Sequence, residues 1–164
     1  MTTPIRVLFL CTHNSARSIL AEAMLNHLGE GRFVAYSAGS EPRTNGLPNP
    51  LAIHALKEAG IAVDGLRSKS WDEFMGPTAP AIDLVITVCG AADAVCPDFP
   101  GAPATAHWGY ADPSAGDAPD ELKLLAFRMT LKQVGERLSR LVALPPEALA
   151  GPGLQAAARQ LAKE

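Results

Sequence analysis

Apolar positions along the chain fall into two alternating patterns. Short, almost unbroken apolar runs at 5–10 (IRVLFL), 32–39 (RFVAYSAG) and 83–89 (DLVITVC), with a weaker one at 104–108 (ATAHW), read as strands. Between them lie stretches with helical spacing: 18–29, closed by Gly29, and 50–60, closed by Gly60; a longer one, behind Pro119, covers 120–144. This alternation predicts a single doubly wound α/β domain, a parallel four-stranded sheet with helices on both faces. SEPRTNGLPNP after residue 39 and CGAADAVCPDFPG at 89–101 read as loops, the second rich in small residues and able to move. Beyond LPPEAL the chain turns Ala-rich after a GPG break. The expected division is a main domain over 1–144 and a helical extension over 145–164.

With 164 residues, 48% of them hydrophobic, the chain is long enough to bury a core without staples. The net charge of −3 is mild, and no basic block or interleaved aromatic stripe points to a nucleic-acid partner. No apolar run approaches the ~20 residues that span a bilayer, and MTTPIRVLFLC lacks a signal-peptide layout, so no membrane partner is expected. Three cysteines, an odd number, suggest a reducing, cytoplasmic setting with free thiols. His27 and His54 fall within predicted helices and read as structural or exposed. Without a clustered His/Cys set, no metal and no cofactor are expected.

In such a domain, ligands gather where strands end and loops lead into helices. Cys11 ends the first strand, Cys89 ends the strand at 83–89, and Cys96 comes next in the loop. Taken alone, Cys89 reads as a small buried apolar residue. Cys11 differs because of its neighbours on the C-terminal side. Thr12, His13, Asn14, Ser15 and Ala16 form a short polar loop, then come Arg17 and Ser18, where a helix starts. Successive N–H groups and a helix N-terminus can converge there on one oxyanion, and the planar fork of Arg17 can grip two of its oxygens. The same field favours a thiolate, so Cys11 is expected to be nucleophilic, with Ser18 placed to hydrogen-bond it. His13 is expected to face outward. The Gly-x4-Gly-Lys-Ser/Thr pattern of nucleotide-binding loops is absent.

VLFLCTHNSARSILAEA resembles the active-site loop of the low-molecular-weight protein tyrosine phosphatase fold. From about residue 5 to 142, through YSAGSEP, DLVITVC and HWGYADPSAG, the chain is similar to that fold's thioredoxin-recycled arsenate reductase branch. The resemblance implies that Cys11 is the nucleophile, Arg17 the oxyanion ligand, Asn14 the residue that shapes the loop, and Asp112, before Pro113, the general acid. A carboxylic acid on a facing loop suits the need to protonate a departing oxygen. Asp93, Asp98 and Asp117 read as solvated surface charges, and His107 and Trp108 as site-wall or packing residues, packing being the favoured reading.

Two reactions fit the loop, phosphate-ester hydrolysis and arsenate reduction. The aromatic neighbour of the Asp-Pro pair and the second loop cysteine typical of the phosphatases are missing here. Cys89 and Cys96, seven positions apart, match the resolving cysteines of the reductases. The resemblance therefore implies reduction of arsenate, a phosphate-like oxyanion, to arsenite through a Cys11/Cys89/Cys96 relay. The protein would act as a monomer with thioredoxin or glutaredoxin as reductant. A phosphatase, or a non-catalytic thiol sensor of arsenite or oxidant, are the alternatives. Some relatives bind potassium at positions resembling Asn14, Glu22 and Ser37. Here Lys69 can place its ammonium against Glu22 at that point, or be an ordinary exposed lysine.

Overall fold

The computed structural model describes residues 3–164. Four parallel strands, β1 (Ile5–Cys11), β2 (Phe33–Gly39), β3 (Leu84–Thr87) and β4 (Ala104–His107), form one sheet in the order β2-β1-β3-β4. Val7, Leu8, Phe9 and Leu10 of β1 are all buried, as is every residue of β3. Successive strand side chains point to opposite faces, so both faces of the sheet centre are covered.

The cover comes from α1 (Arg17–Gly29), α2 (Pro50–Glu58), α3 (Gly90–Val95), α4 (Asp120–Ala143) and α5 (Pro152–Leu161). Helix α1 is buried on nearly every side. Ala21 and Leu25 join the sheet core, while Ile19, Leu20 and Ala23 meet Ala52, Ala55 and Leu56 of α2 and Phe127 and Leu131 of α4. Buried positions of α4 (Phe127, Thr130, Leu131, Val134, Leu138, Leu141) recur every three or four residues, the stripe of a helix with one wet face. Helix α2 starts sharply because Asn49 accepts a hydrogen bond from Leu51 N at 2.8 Å and Pro50 supplies a preset first turn.

Two boundaries differ from expectation. The apolar run 83–89 stops pairing at Thr87, and Cys89, still extended, heads α3. The segment expected as a loop is thus a six-residue helix. Its Gly/Ala composition has no amphipathic period to announce it. The strand order reverses between β1 and β3, where the first crossover leads one way and the later one the other. That is the switch point at which ligands collect in such sheets.

The segment 145–164 packs on the sheet edge. Trp108 Nε1 donates to Ala158 O at 2.8 Å, Thr105 N donates to Gln155 Oε1 at 3.0 Å, and Leu149, Leu154, Ala158 and Leu161 join the main core. Helix α5 thereby shields the edge strand β4. Leu161→Ala is expected to lower the unfolding free energy by about 2–5 kcal/mol, as for other buried leucines, read from urea denaturation. An unchanged midpoint would mean that α5 packs on nothing that matters.

Candidate active site

The loop at 12–16 is held from outside by its carbonyls. Glu41 N donates to Thr12 O (2.8 Å), Ser68 Oγ to His13 O (2.7 Å) and Asn49 N to Ser15 O (2.9 Å). Gly39 lets the loop lie against the end of β2, since a Cβ there would stand 2.5 Å from Thr12 O. Asn14 takes the left-handed backbone (φ 49°) that asparagine tolerates better than most residues. Its fully buried amide ties the loop together: Nδ2 donates to Ser18 Oγ at 2.8 Å, and Oδ1 accepts from Lys69 N at 3.0 Å. The bond observed for Ser18 is therefore to Asn14, whereas the sequence suggested the Cys11 sulfur. Ala16 precedes α1 and no side chain caps the helix, so its first N–H groups stay open to an anion. His13 is exposed, with Nδ1 3.0 Å from Glu41 O, and faces outward.

Arg17 spans the site. Nη1 donates to Tyr110 O at 3.0 Å, Nη2 lies 3.9 Å from Asp112 Oδ2, and the buried Nε has no partner. Tyr110 escaped the sequence because it contributes a carbonyl, which any residue carries. Gly39 carried a weak signal, a glycine ending a strand. Asp112 accepts from Ser114 N (2.9 Å) and Ser114 Oγ (2.7 Å). Partial burial pushes its carboxyl up, but the Ser114 bonds and the charges of Arg17 and His13 outweigh this and hold it below the ordinary range.

Cys89 faces Cys11 across the switch point, both only 5% exposed, and Thr12 Oγ1 lies 3.4 Å from the Cys89 sulfur. The two thiols titrate as a pair. Hydrogen bonding with Cys89, and then burial, raise Cys11. Hydrogen bonding from Cys11, helped by Thr12, the Ala92 N–H and Arg17, draws Cys89 down to about 4 against the cost of burial. Arg17 and the Thr12 N–H act the other way on Cys11 and favour its thiolate. Cys96, half-buried at the far end of α3, is raised by burial and by Asp93 and Asp98.

Under the loop, Lys69 is buried. Its Nζ donates to Arg67 O at 3.0 Å and lies 3.9 Å from Glu22 Oε1, which also accepts from Ser37 Oγ. Burial pushes Glu22 up and Lys69 down, each opposed by the other's charge. Lys69 is thus no ordinary surface lysine. Trp108 packs as expected, 1% exposed. His107 does not: it is exposed, and its Nδ1 lies 2.8 Å from Thr87 Oγ1, which donates to Asp93 Oδ1 at 2.9 Å. Asp93, Asp98 and Asp117 are all exposed as expected, Asp93 while bonded to Thr87 of the sheet; His27 and His54 lie exposed on α1 and α2. Among the described residues no three or more His, Cys, Asp or Glu gather as metal ligands, and no helix is long and apolar enough to cross a membrane.

A doubly wound sheet whose first strand delivers Cys-x5-Arg into the N-terminus of α1 defines a class of small α/β domains with an anion loop at the switch point. Within that class, the chain belongs to the low molecular weight phosphotyrosine protein phosphatase family, whose model matches residues 6–151. It is 39% identical over 133 residues to an arsenate reductase of Halalkalibacterium halodurans, covering 80% of this chain and 91% of that one. A solved arsenate reductase in its phosphate-binding state is 30% identical and superposes with a TM-score of 0.64, over 85% of this chain and 97% of the other. The thioredoxin-dependent arsenate reductase of Corynebacterium glutamicum is 26% identical, with a TM-score of 0.59, over 86% of this chain and 62% of that one.

Cys89→Ala removes the largest influence that raises Cys11. The pH midpoint for alkylation of the Cys11 peptide, tracked by mass spectrometry, is expected to fall below that of the unsubstituted protein. A midpoint that stayed put or rose would show that Cys89 does not control the Cys11 proton.

Proposed function

We infer that this protein is an arsenate reductase that works through three thiols. The observation that carries this is the second thiol beside the first: Cys89 faces Cys11 at the paired ends of β1 and β3, both almost fully buried, and Cys96 follows at the far end of the short helix that Cys89 heads. A phosphatase of this fold has no use for a thiol at that point, since water resolves its intermediate.

Arsenate would sit in the loop at 12–18, bound by its N–H groups and by Arg17, whose Nε is an unused buried donor. Its negative charge, arriving beside Asp112, raises that carboxyl and lets it hold the proton it must deliver. Cys11 attacks arsenic while Asp112 protonates the departing hydroxyl, which leaves as water. Cys89 then attacks the Cys11 sulfur. The sulfur–arsenic bond breaks with its electron pair on arsenic, and arsenite leaves behind a Cys11–Cys89 disulfide. Cys96 attacks Cys89 in turn, releasing Cys11 as a thiolate and forming Cys89–Cys96. A dithiol donor, thioredoxin or glutaredoxin, reduces that disulfide by exchange. Such a cycle needs a reducing compartment, which fits the cytoplasm. Every reacting group comes from one chain, so the proposed cycle needs no second copy of it.

Asp112→Asn is expected to lower turnover by ~10²–10⁴-fold, with oxyanion affinity kept or slightly improved because a negative charge facing Arg17 is gone. Near-normal turnover would move the acid elsewhere. The relay itself is tested with Cys96→Ser. One arsenite per enzyme should appear, after which the protein stalls as a Cys11–Cys89 disulfide visible by peptide mapping. Cys89→Ser should stop before arsenite release. Sustained turnover of Cys96→Ser with thioredoxin as sole donor would remove the three-thiol cycle, and NADPH oxidation with each donor system in turn identifies the reductant.

A further inference from the structure

A side-chain network next to Cys96 has no part in the three-thiol chemistry. Thr87 and His107 are direct partners in the β3–β4 ladder. Asp93 of α3 accepts the Thr87 hydroxyl proton. A carboxylate can only accept and a hydroxyl has one proton, so Thr87 Oγ1 must itself accept from His107 Nδ1–H. In the neutral ring the bare lone pair is then on Nε2. That atom lies beside Gly109, where a Cβ would come within 3.3 Å of it. His107 and Cys96 line one cleft of about 330 Å³, together with Thr87, Asp93, Asp98 and Arg159.

We propose that His107 is the base that takes the Cys96 proton as Cys96 attacks the Cys11–Cys89 disulfide, with Thr87 and Asp93 positioning the ring so that Nε2 is open. This rests on the three-thiol cycle and adds a fourth participant to its last internal step. The proton passes from Cys96 Sγ to Nε2. The Cys96 thiolate attacks Cys89 Sγ, the Cys89–Cys96 bond forms as Cys11–Cys89 breaks, and Cys11 leaves as a thiolate beside Arg17. One disulfide replaces another, so no oxidant or reductant is consumed.

The step needs a base because Cys96 is kept protonated by burial and by the negative charges of Asp93 and Asp98. Of the charged groups lining the cleft, Arg159 is a cation already engaged with Thr105 O (2.9 Å) and Thr105 Oγ1 (3.0 Å). Carboxylates are poorly matched bases for a thiol, whereas imidazole exchanges protons near neutral pH. Thr87 and His107 also sit on paired strands, so the base stays in place while α3 rearranges.

The experiment is a single turnover of the full chain with arsenate and no thioredoxin, quenched over time, with arsenite and both disulfides quantified at several pH values. His107→Gln should release its first arsenite at the normal rate, then accumulate Cys11–Cys89, its conversion slowed by ~10²–10⁴-fold. That conversion should recover as pH rises or imidazole is added. Thr87→Val, nearly isosteric, should slow the same step less. It carries the test alone if His107→Gln fails at the first step. Conversion at the normal rate in His107→Gln, or in Thr87→Val where that variant stands alone, overturns the assignment of His107 and leaves the cycle intact. If the unsubstituted protein releases arsenite without ever forming Cys11–Cys89, the cycle falls and this proposal with it.

Discussion

The pairing of β1 with β3 is the constraint on which the site depends. Leu10 and Thr87 are register partners, and Val88 N donates to Leu10 O at 2.9 Å, so the two strands are locked side by side as far as their carboxyl ends. Cys11 is one residue past Leu10, and Cys89 two past Thr87. Neighbouring strands lie about 4.8 Å apart, which brings two thiols distant in sequence face to face with no special device. A slip of one residue would send Cys11 to the opposite face and dissolve the pair. The side chains of Val7 to Leu10 and of β3 resist that slip, because all of them are buried and each face is already packed against its own helices.

Electrostatics then has to be kept local. A loop built to attract an anion carries positive potential while empty, and the fold occupies its charges with internal partners. The Tyr110 carbonyl takes one arm of Arg17 and Asp112 faces another. Arg137 from α4 stacks on the rings of Trp108 and Tyr110, 5.6 and 5.1 Å from their centroids, and so steadies the segment that brings both Tyr110 O and Asp112 to Arg17. Beneath the loop, Lys69 and Glu22 face each other at 3.9 Å in a buried space that also contains Ser37 and the Asn14 anchor.

How much of this could be read from the sequence depends on the kind of contribution each residue makes. Strand and helix periods depend on apolar side chains and showed the fold almost to its boundaries. Cys11 and Arg17 stand in a recognisable spacing with Asn14 between them, so they stood out as candidates, whereas Asp112 was picked out by the resemblance and not by its spacing. Contributions made by backbone or by absence were hidden: the Tyr110 carbonyl, and the Cβ that Gly39 lacks. The link between Asp93 and His107 was hidden for another reason. Each is a common surface residue type, and only the sheet, by setting Thr87 opposite His107, makes them a network. The facing of Cys11 and Cys89 was beyond a one-dimensional reading, since it arises from strand pairing across a separation of 78 residues.

Helix α3 imposes an order on the thiols. Cys89 and Cys96 flank it, and a wound helix advances ~1.5 Å per residue, setting them ~10 Å apart. A disulfide needs Cα atoms within ~7 Å. While α3 is wound, therefore, Cys89 can react with Cys11 but not with Cys96, and the proposed relay cannot short-circuit into an idle Cys89–Cys96 disulfide before arsenic has been reduced. Unwinding is cheap by construction: the helix has six residues, begins with glycine, has no side-chain cap and buries Ala92 fully. Its one side-chain hydrogen bond to the sheet among the described residues is Thr87–Asp93, with His107 Nδ1 3.9 Å from the same carboxylate. A longer or apolar helix would hold Cys96 too far away at every stage, and a flexible loop would let it react too early. A short helix of small residues, pinned once, satisfies both requirements.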